Sequence, residues 1–102
     1  MNAFSLWSPD QVTVTKGGHL IQTFNKTAGS SRKWCKNCGG HIMTDHPTLG
    51  LVDVYSATIP TFEHQPQLHV WYSESVLRIK DGKPKFKDGP KELGGSGETL
   101  PE

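Results

Sequence analysis

Short segments that alternate apolar and polar side chains, separated by turn residues, run from residue 3 to about residue 80. An amphipathic helix would repeat its apolar residues every three or four positions, and this span has no sustained repeat of that kind. Residues 51–55 and 68–72 also contain the β-branched and aromatic side chains expected of core strands. The sequence therefore predicts an all-β domain.

The pattern predicts individual strands and loops. Strands are expected at residues 3–7, 12–15, 19–24, 32–34, 41–44, 51–55 and 68–72, with a polar loop at 25–31. His69 and Trp71 are expected on one face of the last strand, with the tryptophan packed in the core. From Lys80 onward the composition shifts to Lys, Gly, Pro and Asp, which leaves little apolar surface to offset the entropy of ordering. We therefore predict a domain over residues 1–86 and a flexible tail over 87–102.

Size and charge exclude several classes of protein. A chain of 102 residues with 33% hydrophobic residues forms one domain with a thin core, which often needs a metal, a disulfide or a partner subunit. A net charge of +1 argues against a nucleic-acid partner. No apolar run is long enough to cross a membrane, and the start has no basic, apolar leader. A cytoplasmic location is expected.

Cys35 and Cys38 are the two cysteines of the chain, and Gly39 follows them. A Cys-x-x-Cys pair supplies two of the four ligands of a tetrahedral zinc, so the spacing predicts half of a zinc site. A redox pair would instead open a helix, and none is predicted here. Two completions are open. His41 and His46 could add local ligands, or a second copy of the chain could add its own pair in a homodimer that shares the zinc.

Five short motifs, in this order, resemble the C-terminal part of the glutathione-dependent formaldehyde-activating enzyme (GFA) family. They are Ala3-Phe4-Ser5-Leu6-Trp7, Thr15-Lys16-Gly17, Cys35-x-x-Cys38-Gly39, Val52-Asp53-Val54 and His69-Val70-Trp71-Tyr72-Ser73. The resemblance extends over roughly residues 3 to 86. It implies a β-tent fold, in which small antiparallel sheets surround zinc.

The resemblance also implies what this chain lacks. Family members bind a structural zinc through an early Cys-x-Cys pair and a late Cys-x-x-Cys pair, and a catalytic zinc through a middle Cys-x-Cys-x-x-Cys cluster. Cys35 and Cys38 match only the late pair, so the N-terminal half of the family domain is expected to be missing. No catalytic residue carries over, and the family reaction of glutathione with formaldehyde is not expected from this chain alone.

Two other hypotheses about the function of the chain stay open. The chain could act as a carbon-sulfur lyase when combined with the missing segment, in which case a glutathione-type small molecule would be its ligand. Alternatively, it could be a dimeric interaction module that does not depend on metal.

Overall fold

Five antiparallel strands form one sheet in the computed structural model, which describes residues 2–102. The prediction of an all-β domain is confirmed. The strands are β1 (Phe4–Trp7), β2 (Ile21–Thr27), β3 (Ser30–Cys35), β4 (His41–His46) and β5 (Leu51–Tyr55), in the spatial order β1-β5-β4-β3-β2.

The described helices are single turns of 3-10 helix. They lie at Pro9–Gln11, Gly18–Leu20, Ser56–Thr58, Tyr72–Glu74 and Lys91–Leu93. Within residues 2–102, none has the length or the apolar character needed to cross a bilayer. The chain divides into two units, Asn2–His64 and Gln65–Glu102, which we name the sheet unit and the C-terminal unit.

Buried and partly buried residues alternate along β5, and the buried ones form the centre of the core of the sheet unit. Val52 and Val54 are 3% and 4% exposed, and Val54 lies opposite Met43 on β4. Partly buried apolar residues pack against these three, among them Trp7 of β1. Side chains two positions apart on a strand point to the same face, so one face of β4 and β5 supplies the apolar cluster.

The hairpin of β2 and β3 is longer than predicted. Residues 25–31 were expected to form a loop, but the two strands continue through that segment and turn at residues 28 and 29. The predicted loop is wrong because a polar segment can pair as a strand whose side chains face water. Six of the seven β2 residues are exposed, so polar side chains there face water while the backbone pairs with β3.

Residues 12–15 do not form the predicted strand. They follow the 3-10 helix Pro9–Gln11, which begins with a capping box in which the Ser8 amide donates to Gln11 Oε1 at 3.1 Å. Alternation of Val and Thr is consistent with a strand, but a strand also needs a partner, and residues 12–15 pair with none in the part of the chain described.

The predicted core strand at residues 68–72 is also absent. Trp71 has a left-handed backbone with φ of 54°, which interrupts extended structure, and its amide donates to Asp88 O at 2.7 Å. Trp71 is 60% exposed, whereas the next residue, Tyr72, is 4% exposed. The expectation of a packed Trp71 on one strand face with His69 is therefore wrong, and Tyr72 is the buried aromatic residue.

The C-terminal unit is held by isolated bridges rather than by strands. His69 pairs with Lys85 in a parallel bridge, and Phe86 pairs with Thr99 in an antiparallel one. The Leu100 amide donates to Lys85 O at 2.7 Å, and the Asp88 carboxylate accepts from the Ser96 amide at 2.9 Å. Residues 87–102 thus have hydrogen-bond partners within this unit. Hydrogen bonds do not measure motion, so the flexibility of residues 87–102 stays a prediction.

Candidate metal centre

Cys35 and Cys38 lie in the turn that joins β3 to β4. Cys35 is the last residue of β3, and its amide donates to Gly40 O at 2.9 Å. The Gly39 amide donates back to Cys35 O at 2.7 Å, and Gly39 has a φ of 78°. A left-handed residue is favourable for glycine and costly for most others, so Gly39 closes the turn that holds both cysteines.

Backbone amides surround the two sulfurs. The Gly40 amide donates to Cys38 Sγ at 3.4 Å. The amide of Cys38, the amide of Asn37 and the Cys38 side chain hold the pKa of the Cys35 thiol below its ordinary value, against the opposing effect of burial. Both cysteines are free thiols, Cys35 half-buried and Cys38 exposed. Hydrogen bonds to sulfur favour the thiolate, which is the form that binds metal.

Two cysteines at this spacing can supply one edge of a tetrahedral zinc site, and here the second of them is exposed. The turn does not supply a complete site. Among residues 2–102, no three His, Cys, Asp or Glu side chains are close enough together to hold a metal ion. Two further ligands would have to come from rearranged side chains or from another chain.

The structure places His41 and His46 in other interactions. His41 Nε2 lies 3.2 Å from Thr44 Oγ1, and its ring lies 4.4 Å from the Tyr55 ring, centroid to centroid. His46 Nε2 lies 2.7 Å from Asp53 Oδ2. The structure therefore brings Cys35 and Cys38 together but does not bring either histidine into a ligand group with them.

A second polar cluster, in the C-terminal unit, has no counterpart in the sequence predictions. The Lys85 side chain is fully buried, and its Nζ atom contacts Asp81 Oδ1 at 2.5 Å and Glu102 Oε1 at 3.2 Å. His69 Nε2 lies 2.7 Å from the other Asp81 oxygen. Hydrogen bonds from Lys85, His69 and the Lys83 amide, in that order, hold the pKa of Asp81 well below its usual range.

Sequence reasoning missed this cluster for a physical reason. Lys85 belongs to a lysine-rich run, and lysine is almost never fully buried unless it is paired. The partners Asp81 and Glu102 lie four positions before it and 17 after it, so no local pattern marks the second contact. Burial lowers the pKa of Lys85, but hydrogen bonds to Asp81 and Glu102 outweigh that effect and raise it.

The sheet and the turn define an all-β domain that presents two thiols between adjacent strands. Over 74 residues, the chain is 31% identical to a protein of Pyrenophora teres f. teres (strain 0-1) described as a "Putative glutathione-dependent formaldehyde-activating enzyme". The match covers 69% of this chain and 39% of that relative, so the chain spans well under half of the relative's length. No family model and no solved structure matches the chain. The likeness supports a GFA-like domain.

Proposed function

We propose that this chain is a zinc-binding GFA-like domain in which Cys35 and Cys38 supply two thiolate ligands. The observation that carries the proposal is the set of amides around the sulfurs, including the 3.4 Å contact from Gly40 N to Cys38 Sγ. Bound there, zinc would hold the end of β3 to the start of β4, and the free energy of binding would add to the stability of the sheet. Its role would be structural.

A second copy of the chain supplies the other two ligands in this proposal. Cys38 is exposed at the tip of the β3–β4 turn, so a partner's turn could approach it. His41 and His46 contact Thr44 and Asp53, respectively, through Nε2, and neither forms a ligand group with the cysteines among residues 2–102. Four thiolates shared across a two-fold axis would complete a tetrahedron without either histidine.

The test is native mass spectrometry of the full chain, purified with reductant and titrated with zinc. We expect one zinc per dimer, loss of zinc in Cys38→Ser, and unchanged zinc content in the matched variant His46→Gln. One zinc per monomer that disappears in His41→Gln or His46→Gln would replace the shared site by a local one. If no species of the folded protein contained zinc, the result would contradict the proposal.

We further propose that the chain alone has no carbon-sulfur lyase activity. Its two cysteines are both assigned to the structural pair, and the resemblance places the catalytic metal on a separate cysteine cluster. Formaldehyde and glutathione are added to the zinc-loaded chain, and formation of their adduct is followed by NMR. A rate equal to that of the buffer control is expected. A faster rate would favour the alternative in which the chain belongs to an active carbon-sulfur lyase.

The alternative of a metal-independent interaction module is tested by a separate experiment. Size-exclusion chromatography with and without chelator distinguishes a dimer held by metal from one held by protein contacts. We expect the chelator to produce monomers. A dimer that survives chelation would favour the metal-independent module.

A further inference from the structure

One face of the sheet unit carries a cavity of about 540 Å³. Its apolar lining comes from the core strands, from β1 and from the irregular segment after the first 3-10 helix, and includes Trp7, Val12, Val14, Leu20, Ile42 and Ile59. Small-molecule sites commonly have volumes of 300–1,000 Å³ and mostly apolar walls. This cavity has the size and the lining of such a site.

The irregular segment forms part of the wall because it does not join the sheet. Val12 and Val14 both line the cavity, although neither belongs to a strand. Val14 is 47% exposed, so its side chain presents apolar surface to water rather than filling the space above Met43 and Val54. An apolar ligand placed there would remove that surface from water, which is favourable.

The charged side chains that line the cavity limit the class of small molecule that it could bind. Apart from the Cys35 thiol, Lys16 is the single ionisable side chain among the described residues that line the cavity. Lys16 is exposed and immediately precedes Gly17, whose left-handed backbone (φ of 76°) begins the second 3-10 helix. Neutral hydroxyls of Thr13 and Thr15 lie along the same stretch of wall. The cavity thus combines an apolar interior with one cation and a few hydrogen-bonding groups.

We propose that this cavity binds an amphipathic monocarboxylate, with its apolar body against the sheet and its carboxylate at Lys16. A lysine ammonium favours an anionic head group, and the rest of the lining favours a body without charge. Glutathione does not fit this description, because it is polar along its whole length. The proposal does not depend on zinc at Cys35 and Cys38.

The probe is sodium octanoate, added below its micelle concentration to the 15N-labelled full chain with EDTA and reductant. Saturable shifts are expected in the amide signals of residues 12–17 and 42–43. Octanamide has the same heptyl chain with an uncharged head group, and we expect it to bind about five-fold more weakly, as an exposed lysine–carboxylate contact contributes about 1 kcal/mol.

Three variants make the test specific. Lys16→Met should reduce octanoate affinity to that of octanamide without changing octanamide binding. Val14→Asp should abolish binding of both, because it places a charge in the apolar wall. Lys26→Met is the matched control, since Lys26 lies on β2 outside the cavity, and it should bind octanoate as the unmodified chain does.

Several results would overturn the proposal. These are the absence of saturable shifts in the folded protein, equal octanoate affinity in the unmodified chain and Lys16→Met, or shifts that map outside the cavity. Glutathione that binds as well as octanoate would also contradict it, since the apolar body would then not be recognised. The EDTA in the titration keeps the two proposals separate, because Cys35 also lines the cavity and a carboxylate could itself bind zinc there.

Discussion

His46 lies beside Asp53 across the β4–β5 pair, with 2.7 Å between His46 Nε2 and Asp53 Oδ2. The neighbouring residue Asp45 makes a second pair, with Lys33 on β3, at 2.8 Å. The two pairs differ in exposure. The His46 and Asp53 side chains are 24% and 15% exposed, whereas those of Lys33 and Asp45 are 31% and 32% exposed. Water screens the second pair more strongly.

This difference predicts unequal coupling energies. In a double-mutant cycle with His46→Gln and Asp53→Asn, we expect a coupling of about 1 kcal/mol in the free energy of unfolding. The cycle with Lys33→Met and Asp45→Asn is the internal control and should give less than about 0.5 kcal/mol. Urea unfolding provides the measurement. Equal couplings would show that burial does not distinguish the pairs.

The left-handed backbone of Gly39 predicts a cost for any residue with a Cβ. No atom lies within 4 Å of the position that its Cβ would take, so the cost is conformational rather than steric. Gly39→Ala should lower the free energy of unfolding by about 1 kcal/mol and weaken zinc binding, and Gly39→Asn should cost less. Gly18→Ala is the control, because Gly18 has no positive φ. Equal losses in Gly39→Ala and Gly18→Ala would contradict this account.

The small core makes Met43 sensitive to truncation. Met43 is 7% exposed and packs in the cluster with Val52 and Val54. Met43→Ala should reduce the free energy of unfolding by about 2 to 5 kcal/mol, through lost burial and the cavity left behind. Phe24→Ala removes a large side chain that is 56% exposed, and it should change stability by no more than about 0.5 kcal/mol. Denaturant midpoints compare the two, and similar losses would mean that the core lies elsewhere.

The ionised Asp81 side chain leads us to predict that acid lowers the stability of the C-terminal unit. Lys85 and His69 lower the pKa of Asp81 in the folded chain, so its ionised form stabilises folding. That stabilisation is fully present above the ordinary aspartate pKa of about 3.9, and it is lost progressively as the pH falls from there through the lowered pKa of the folded chain. Amide hydrogen exchange at Phe86, whose amide donates to His69 O at 2.8 Å, reports on this unit.

Asp81→Asn tests the acid effect. The variant should exchange faster than the unmodified chain at neutral pH. The difference should begin to shrink as the pH falls below about 4, because the unfolded carboxylate is then protonated and ionised Asp81 stabilises the folded state less. Asp10→Asn, at an exposed position of the first 3-10 helix, serves as the control and should have no effect at Phe86. A difference that did not change with pH would assign the effect of Asp81 to packing rather than to ionisation.

The sequence pattern located β1, β4 and β5, and along β5 the alternation matches burial directly, because Val52 and Val54 are both in the core. It failed at residues 12–15 and 68–72, where the composition is equally strand-like. Residues 12–15 pair with no strand among residues 2–102, and within residues 68–72 Trp71 adopts a left-handed backbone. Both are properties of tertiary structure, which a local pattern does not contain.

In the candidate metal site, too, local contacts were predictable from the sequence and contacts between strands were not. The spacing of Cys35 and Cys38 and the glycine after them predicted a turn that holds both sulfurs, because these contacts are local. His41 also contacts the ring of Tyr55, and His46 contacts Asp53, so these interactions depend on the pairing of β4 with β5. Histidine spacing alone does not determine which ligands complete the site, and His41 and His46 as ligands stay a prediction.

The strand order has a consequence for the order in which the sheet forms. β2, β3, β4 and β5 are neighbours both in sequence and in space, whereas β1 pairs with β5 through contacts such as Phe4 with Tyr55. Closing a long loop costs more chain entropy than closing a short one, so hairpin contacts between residues 21 and 55 are favoured early. β1 is then the last strand to join the sheet. During synthesis it stays unpaired until β5, its partner, has been made.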